Sequence, residues 1–143
     1  MLRTTRVFLA IAAVTVVAAC SESSGPGSMT GSYSLVRIDG INGNGLPVTI
    51  FKDPTTEFRV TGGSITLNSN NTFSVSGAAV AIQPGGTTNL SETCAGTYTV
   101  SGNGITFTGA PSTDCAGVIT GIWDGANTLT INAEATIQGV FKK

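Results

Sequence analysis

Few residues in this chain could carry chemistry. The 143 residues include three cysteines, Cys20, Cys94 and Cys115, and no histidine. Without histidine, Ser-His-Asp and Cys-His catalysis and histidine-ligated zinc are excluded. The acids of the main body, Asp39, Asp53, Glu57, Glu92, Asp114, Asp124 and Glu134, sit at or beside residues that read as turns. A glycosidase-type pair needs two carboxyls facing each other across a cleft, one with a raised pKa; solvated turn acids are the simpler reading. Asp39 with Asn42 and Asn44 superficially suggests a calcium loop but lacks the EF-hand spacing. No phosphate-cradling loop or dinucleotide glycine pattern occurs, and the cysteines are too widely spaced for a CxxC motif. The expectation is a protein that is not an enzyme, with no metal and no cofactor.

The amino terminus gives an address. Arg3 and Arg6 precede an apolar run from Val7 to Ala19 broken only by Thr15, a charged n-region followed by an h-region. The run is short of the ~20 residues that a spanning helix needs. Val17-Ala18-Ala19-Cys20 resembles a bacterial lipobox, and the resemblance implies cleavage after residue 19 and acylation of Cys20. Two or more acyl chains, at about 0.8 kcal/mol per buried CH₂, anchor a protein stably. Residues 1–19 then form a lipoprotein signal peptide, and residues 20–28 the lipidated cysteine and a flexible tether, SESSGPGS. Ser21 after the cysteine implies the outer membrane of a bacterial cell envelope. That compartment is oxidising, so with Cys20 acylated the remaining pair, Cys94 and Cys115, is expected to form a disulfide.

Losing Arg3 and Arg6 takes the formal net charge from −1 to −3. With no basic run, nucleic acid is not an expected partner. Residues 29–143 suffice for one domain. Gly, Thr, Ser and Asn dominate it and no amphipathic-helix spacing occurs, so it reads as short strands between turns. The clearest stretch is CAGTYTVSGNGITFTGAPSTDC, residues 94–115. A two-residue Gly102-Asn103 turn would set Val100 opposite Ile105 and Tyr98 opposite Phe107.

The other strands read as Gly31 to Asp39, with Tyr33, Leu35 and Arg37 on one face and Val36 and Ile38 on the other; Val48 to Phe51; Thr72 to Ile82; Gly117 to Trp123; Thr128 to Ile131; and Thr136 to Phe141. In EFRVTGGSITL, Gly62-Gly63 reads as a hairpin turn in preference to a bulge. Residues 83 to 93 carry the least pattern and read as a mobile loop. Eight to ten short strands joined by tight turns favour an all-β, antiparallel up-and-down barrel, since closure removes exposed edges. An immunoglobulin-like sandwich is the alternative.

Several segments carry a family resemblance: Gly31-Ser32-Tyr33, Leu46-Pro47 after a glycine-rich link, Gly63-Ser64-Ile65-Thr66-Leu67 before an Asn-rich turn and Thr72-Phe73, Gly96-Thr97-Tyr98-Thr99-Val100, and the closing Phe141-Lys142. Together they resemble the small bacterial lipocalin-like (calycin-type) lipoproteins. The resemblance implies a barrel whose aromatics, Tyr33, Phe58, Phe73, Tyr98, Phe107 and Trp123, line a cup for a small hydrophobic ligand, with a hydroxyl of Tyr33 or Tyr98 fixing its orientation. The rival expectation is an interaction or hydrolase-inhibitor module presenting turns such as 40 to 46 and 83 to 93 to an envelope protein. A monomer is expected either way.

Overall fold

The computed structural model describes residues 28–41, 45–111, 117–133 and 136–143, to which all structural statements refer. The signal peptide, Cys20, the tether up to residue 27, Asn42, Asn44, Asp114, Cys115 and Glu134 lie outside these residues. Nine strands run in order: β1 (Gly31–Asp39), β2 (Val48–Lys52), β3 (Glu57–Leu67), β4 (Thr72–Gln83), β5 (Gly86–Ser101), β6 (Gly104–Gly109), β7 (Gly117–Trp123), β8 (Thr128–Asn132) and β9 (Gln138–Lys142).

Consecutive strands from β2 to β9 pair antiparallel. β9 pairs back onto β1, and β1 onto β3. Eight strands therefore close a lipocalin-like up-and-down barrel, and β2 is extra, hydrogen-bonded to β3 alone. The period-two pattern explains which way the sheet curls. Ile65, Leu67, Phe73, Tyr98, Ile105, Phe107 and Leu129 point inward and are buried. Serines and threonines alternate with them and point out, some joined across strands, as in Ser32 to Thr66 and Ser64 to Ser76.

The register of β5 with β6 sets Tyr98 opposite Phe107 and Val100 opposite Ile105 about a Gly102-Asn103 turn, as the sequence predicts. Three expectations need correction. Gly62-Gly63 is not a turn: β3 runs through it, with a bulge between Val60 and Gly62. The long β4 offers a partner all along β3, so the continuous strand makes more ladder hydrogen bonds than a local hairpin would. Residues 83 to 93 are not a loop, because Pro84-Gly85 turns tightly and Gly86–Glu92 pairs with the far half of β4. Both faces of that hairpin tip are largely exposed, and alternation is legible only where one face is buried. In β1 a register shift after Leu35 turns Ile38 to the inner side opposite Gly139, while Arg37 lies out with Asp39.

The barrel has two different ends. Turns 68–71, 102–103 and 124–127 and both ends of the described chain gather at one, which is sealed. There Tyr33 donates its hydroxyl to Met29 O at 2.6 Å, Tyr98 to Asn68 O at 2.7 Å, and Lys143 Nζ donates to the carbonyls of Ser28 and Thr30 while lying 4.9 Å from the Tyr33 ring centroid. At the other end β1 pairs only with β9 and the first half of β3 only with β2 and β4. Here β2, Glu57–Thr61, Ala78–Gln83 and Gly86–Glu92 continue upward as a sheet extension above the open mouth.

Candidate ligand cavity at the open end

Side-chain size changes along the same strands. Toward the sealed end the inward positions hold Leu67, Tyr98, Ile105, Trp123 and Leu129. Toward the mouth they hold Gly77, Gly109 and Gly117, and a Cβ added at Gly77 or Gly117 would meet nothing within 4 Å. Glycine in place of a bulky residue leaves unfilled space. The result is a cavity of about 240 Å³, near the small end of the ~300–1,000 Å³ range of ligand sites.

Phe73 and Phe107 form part of its wall, edge to face, with ring centroids 5.2 Å apart; Tyr98 lies beyond Phe107, at 6.3 Å. Ile65, Val75, Ile119, Ile131 and Phe141 complete the apolar lining. Cys94 also lines it from β5 and is a partnered side chain; Cys115 lies outside the described residues. At the rim stand Glu92 and Thr93. A second recess of about 170 Å³, under the extension, is lined by Ile50, Phe58, Val60, Ala79 and Leu90 and shares Gly77 and Glu92 with the cavity.

Among the described residues, Glu92 is the one charged residue lining either recess, and it makes no ion pair. Several cations are engaged elsewhere. Arg37 pairs with Asp39 at 2.9 Å, while Arg59 and Lys52 converge on Glu57 at 2.6 and 3.4 Å. Hydrogen bonds from Arg59 and Thr49 hold the Glu57 carboxyl down to about 2. Among the described residues the mouth is therefore apolar, with Glu92 as its rim charge.

Of the six aromatics expected to line a cup, the structure brings Phe73 and Phe107 to the cavity. Phe58 lies in the extension opposite Phe51 and Ala81. Tyr33, Tyr98 and Trp123 sit at the sealed end, outside the lining. The two tyrosine hydroxyls face backbone carbonyls rather than the cavity, and burial pushes both above their ordinary value, with the Trp123 indole opposing the shift at Tyr33. Among the described residues the buried Trp123 Nε1–H has no well-formed hydrogen bond, the Tyr33 hydroxyl being the polar group it acts on. Glu92 and Gly77 were missed by sequence reasoning. Extending the Cys94, Gly96, Tyr98 alternation two residues upstream would have found Glu92. Comparison with known proteins finds no family whose model matches the chain, and no curated protein matches it.

Proposed function

We propose that this is a lipid-anchored bacterial envelope protein, acylated at Cys20 and braced by a Cys94–Cys115 disulfide, whose barrel binds a small hydrophobic ligand. The observation that carries the reading is the 240 Å³ cavity walled by Ile65, Phe73, Val75, Phe107, Ile119, Ile131 and Phe141. Binding is passive: an apolar group leaves water for a preformed apolar space, contributing about 25 cal/mol per Å² buried. The cavity's size suits a short alkyl chain or a single ring. The envelope address rests on the charged start, the apolar run and the lipobox-like residues. The disulfide rests on the oxidising envelope and on Cys94 and Cys115 being the pair left once Cys20 is acylated. The protein acts as a monomer without cofactor or nucleic acid.

Native mass spectrometry of protein purified from its own host tests this. A co-purifying apolar molecule, lost in a Gly77→Val variant, supports it; bare protein whose cavity binds no apolar probe overturns it. Mass analysis of the amino-terminal peptide tests the anchor, with two or three acyl chains on Cys20 expected.

One observation favours a second reading. Among the described residues, Gly86 to Thr93 of β5 pairs with β4 on one side only, leaving an edge onto which an envelope protein's strand could add. Protection of Thr87–Ser91 amides by a captured partner would support it.

A further inference from the structure

The chemistry at the cavity's border says more about the ligand than its apolar wall does. On the reading that the barrel binds a small hydrophobic molecule, we infer that it selects amphiphiles with a cationic head, an alkylammonium rather than a carboxylate or phosphate, the head seated against Glu92. Three placements carry this.

First, Glu92 points to the same side of β5 as Cys94 and Tyr98, and it borders both the barrel cavity and the recess under the extension. Any ligand that fills the cavity and projects out passes its carboxylate. Second, nothing positive lines either recess among the described residues. Arg37, Arg59 and Lys52 are engaged by Asp39 and Glu57, and Lys143 is bound to the Ser28 and Thr30 carbonyls at the opposite end. An anionic head at the rim would meet repulsion without compensation, whereas a cation meets an unpaired charge beside low-dielectric walls, where Coulomb attraction is screened less than in water. Third, Gly77 faces Glu92 across the β4–β5 ladder, and the space where its side chain would be is empty. That gap gives an ammonium group room without displacing a side chain.

The test is a titration of the purified protein with hexylamine, hexanol and hexanoate, following methyl resonances of Ile65 and Ile131 by NMR. Hexylamine is expected to bind about fivefold tighter than hexanol, an exposed-pair magnitude, and hexanoate weakest. Glu92→Gln should bring hexylamine level with hexanol, and 0.5 M NaCl should shrink the amine's advantage in the wild-type protein. Gly77→Val, at a position with an ordinary backbone and open space, should weaken all three together. Equal binding of amine and alcohol, or an amine preference that survives Glu92→Gln, overturns the charge selection while leaving the cavity reading intact. If none of the three probes moves the cavity methyls, the cavity reading itself falls.

Discussion

The strands that seal one end of this barrel open the other. On β8, Leu129 is wholly buried at the sealed end, while Ile131, one step up on the same face, is only partly buried and borders the cavity. On β5, Tyr98 spends its hydroxyl on a turn carbonyl, while Glu92, on the same side, stands exposed at the rim. Toward the mouth β1 parts from β3 and, among the described residues, β5 from β6, and the inward side chains change with them. Large ones make a plug and small ones make a vessel.

Truncating each end should separate them most strongly. Leu129→Ala is expected to cost about 3 kcal/mol, within the ~2–5 range for a buried leucine. Ile131→Ala should cost about 1 kcal/mol, because its side chain already borders empty space. Chemical denaturation of both variants checks this, and equal losses would mean that the cavity is not open. Glycines give the converse contrast. A methyl at Gly96 would land well inside contact distance of the Thr108 carbonyl, 2.9 Å from the Phe73 ring and 3.0 Å from Gly109 Cα. Gly96→Ala should therefore destabilise by about 1–3 kcal/mol through overpacking, whereas Gly77→Ala should stay within ~0.5 kcal/mol of wild type, as read from thermal midpoints.

Tyr98→Phe should cost about 1 kcal/mol, the typical worth of a hydrogen bond whose acceptor then needs another partner. Because the hydroxyl faces Asn68 O rather than the cavity, this variant should leave ligand affinity unchanged in the titration above.

The smallest effects come from pH, with opposite signs at the two ends. Glu57 has a folded pKa of about 2, below the ~4.3 of a free glutamate, through Arg59 and then Thr49. Its contribution is complete above the unfolded value and is lost as pH falls toward 2. Tyr33 and Tyr98 are raised by burial, so their contribution is complete below ~10 and is lost as pH rises through their folded values. Amide exchange should show the extension, Val48–Arg59, loosening first in acid and turns 68–71 loosening first in alkali. Asp124 is also depressed, by the Thr128 and Ala126 amides at the sealed end, and Asp53 by Thr55 and Thr56 in the extension, so Glu57→Gln should reduce the acid response of Val48–Lys52 while leaving that of turn 124–127.

The sealed end was the legible one. Alternation with a buried face fixed the Tyr98–Phe107 and Val100–Ile105 register, and the Gly102-Asn103 turn announced itself by residue type. The open end was not legible, because its strands are weakly patterned. Val60 and Ile65 change parity across Gly62-Gly63, which a turn and a bulge satisfy equally, and only the reach of β4 decides between them. Residues 86–92 expose both faces, so nothing in their sequence marks a strand, and Glu92 read as a turn acid instead of a rim carboxylate. Counting aromatics found part of the cavity wall in Phe73 and Phe107, but aromaticity alone could not tell plug from lining.

Lys143 gathers the Ser28 and Thr30 carbonyls at the sealed pole, so the polypeptide enters the barrel diametrically opposite its opening. Anything that fastens the chain upstream therefore pulls on the end away from the mouth. The proposed attachment at Cys20 would keep that base within ~30 Å of the surface even with the intervening residues fully extended, and would leave the mouth unobstructed by the tether.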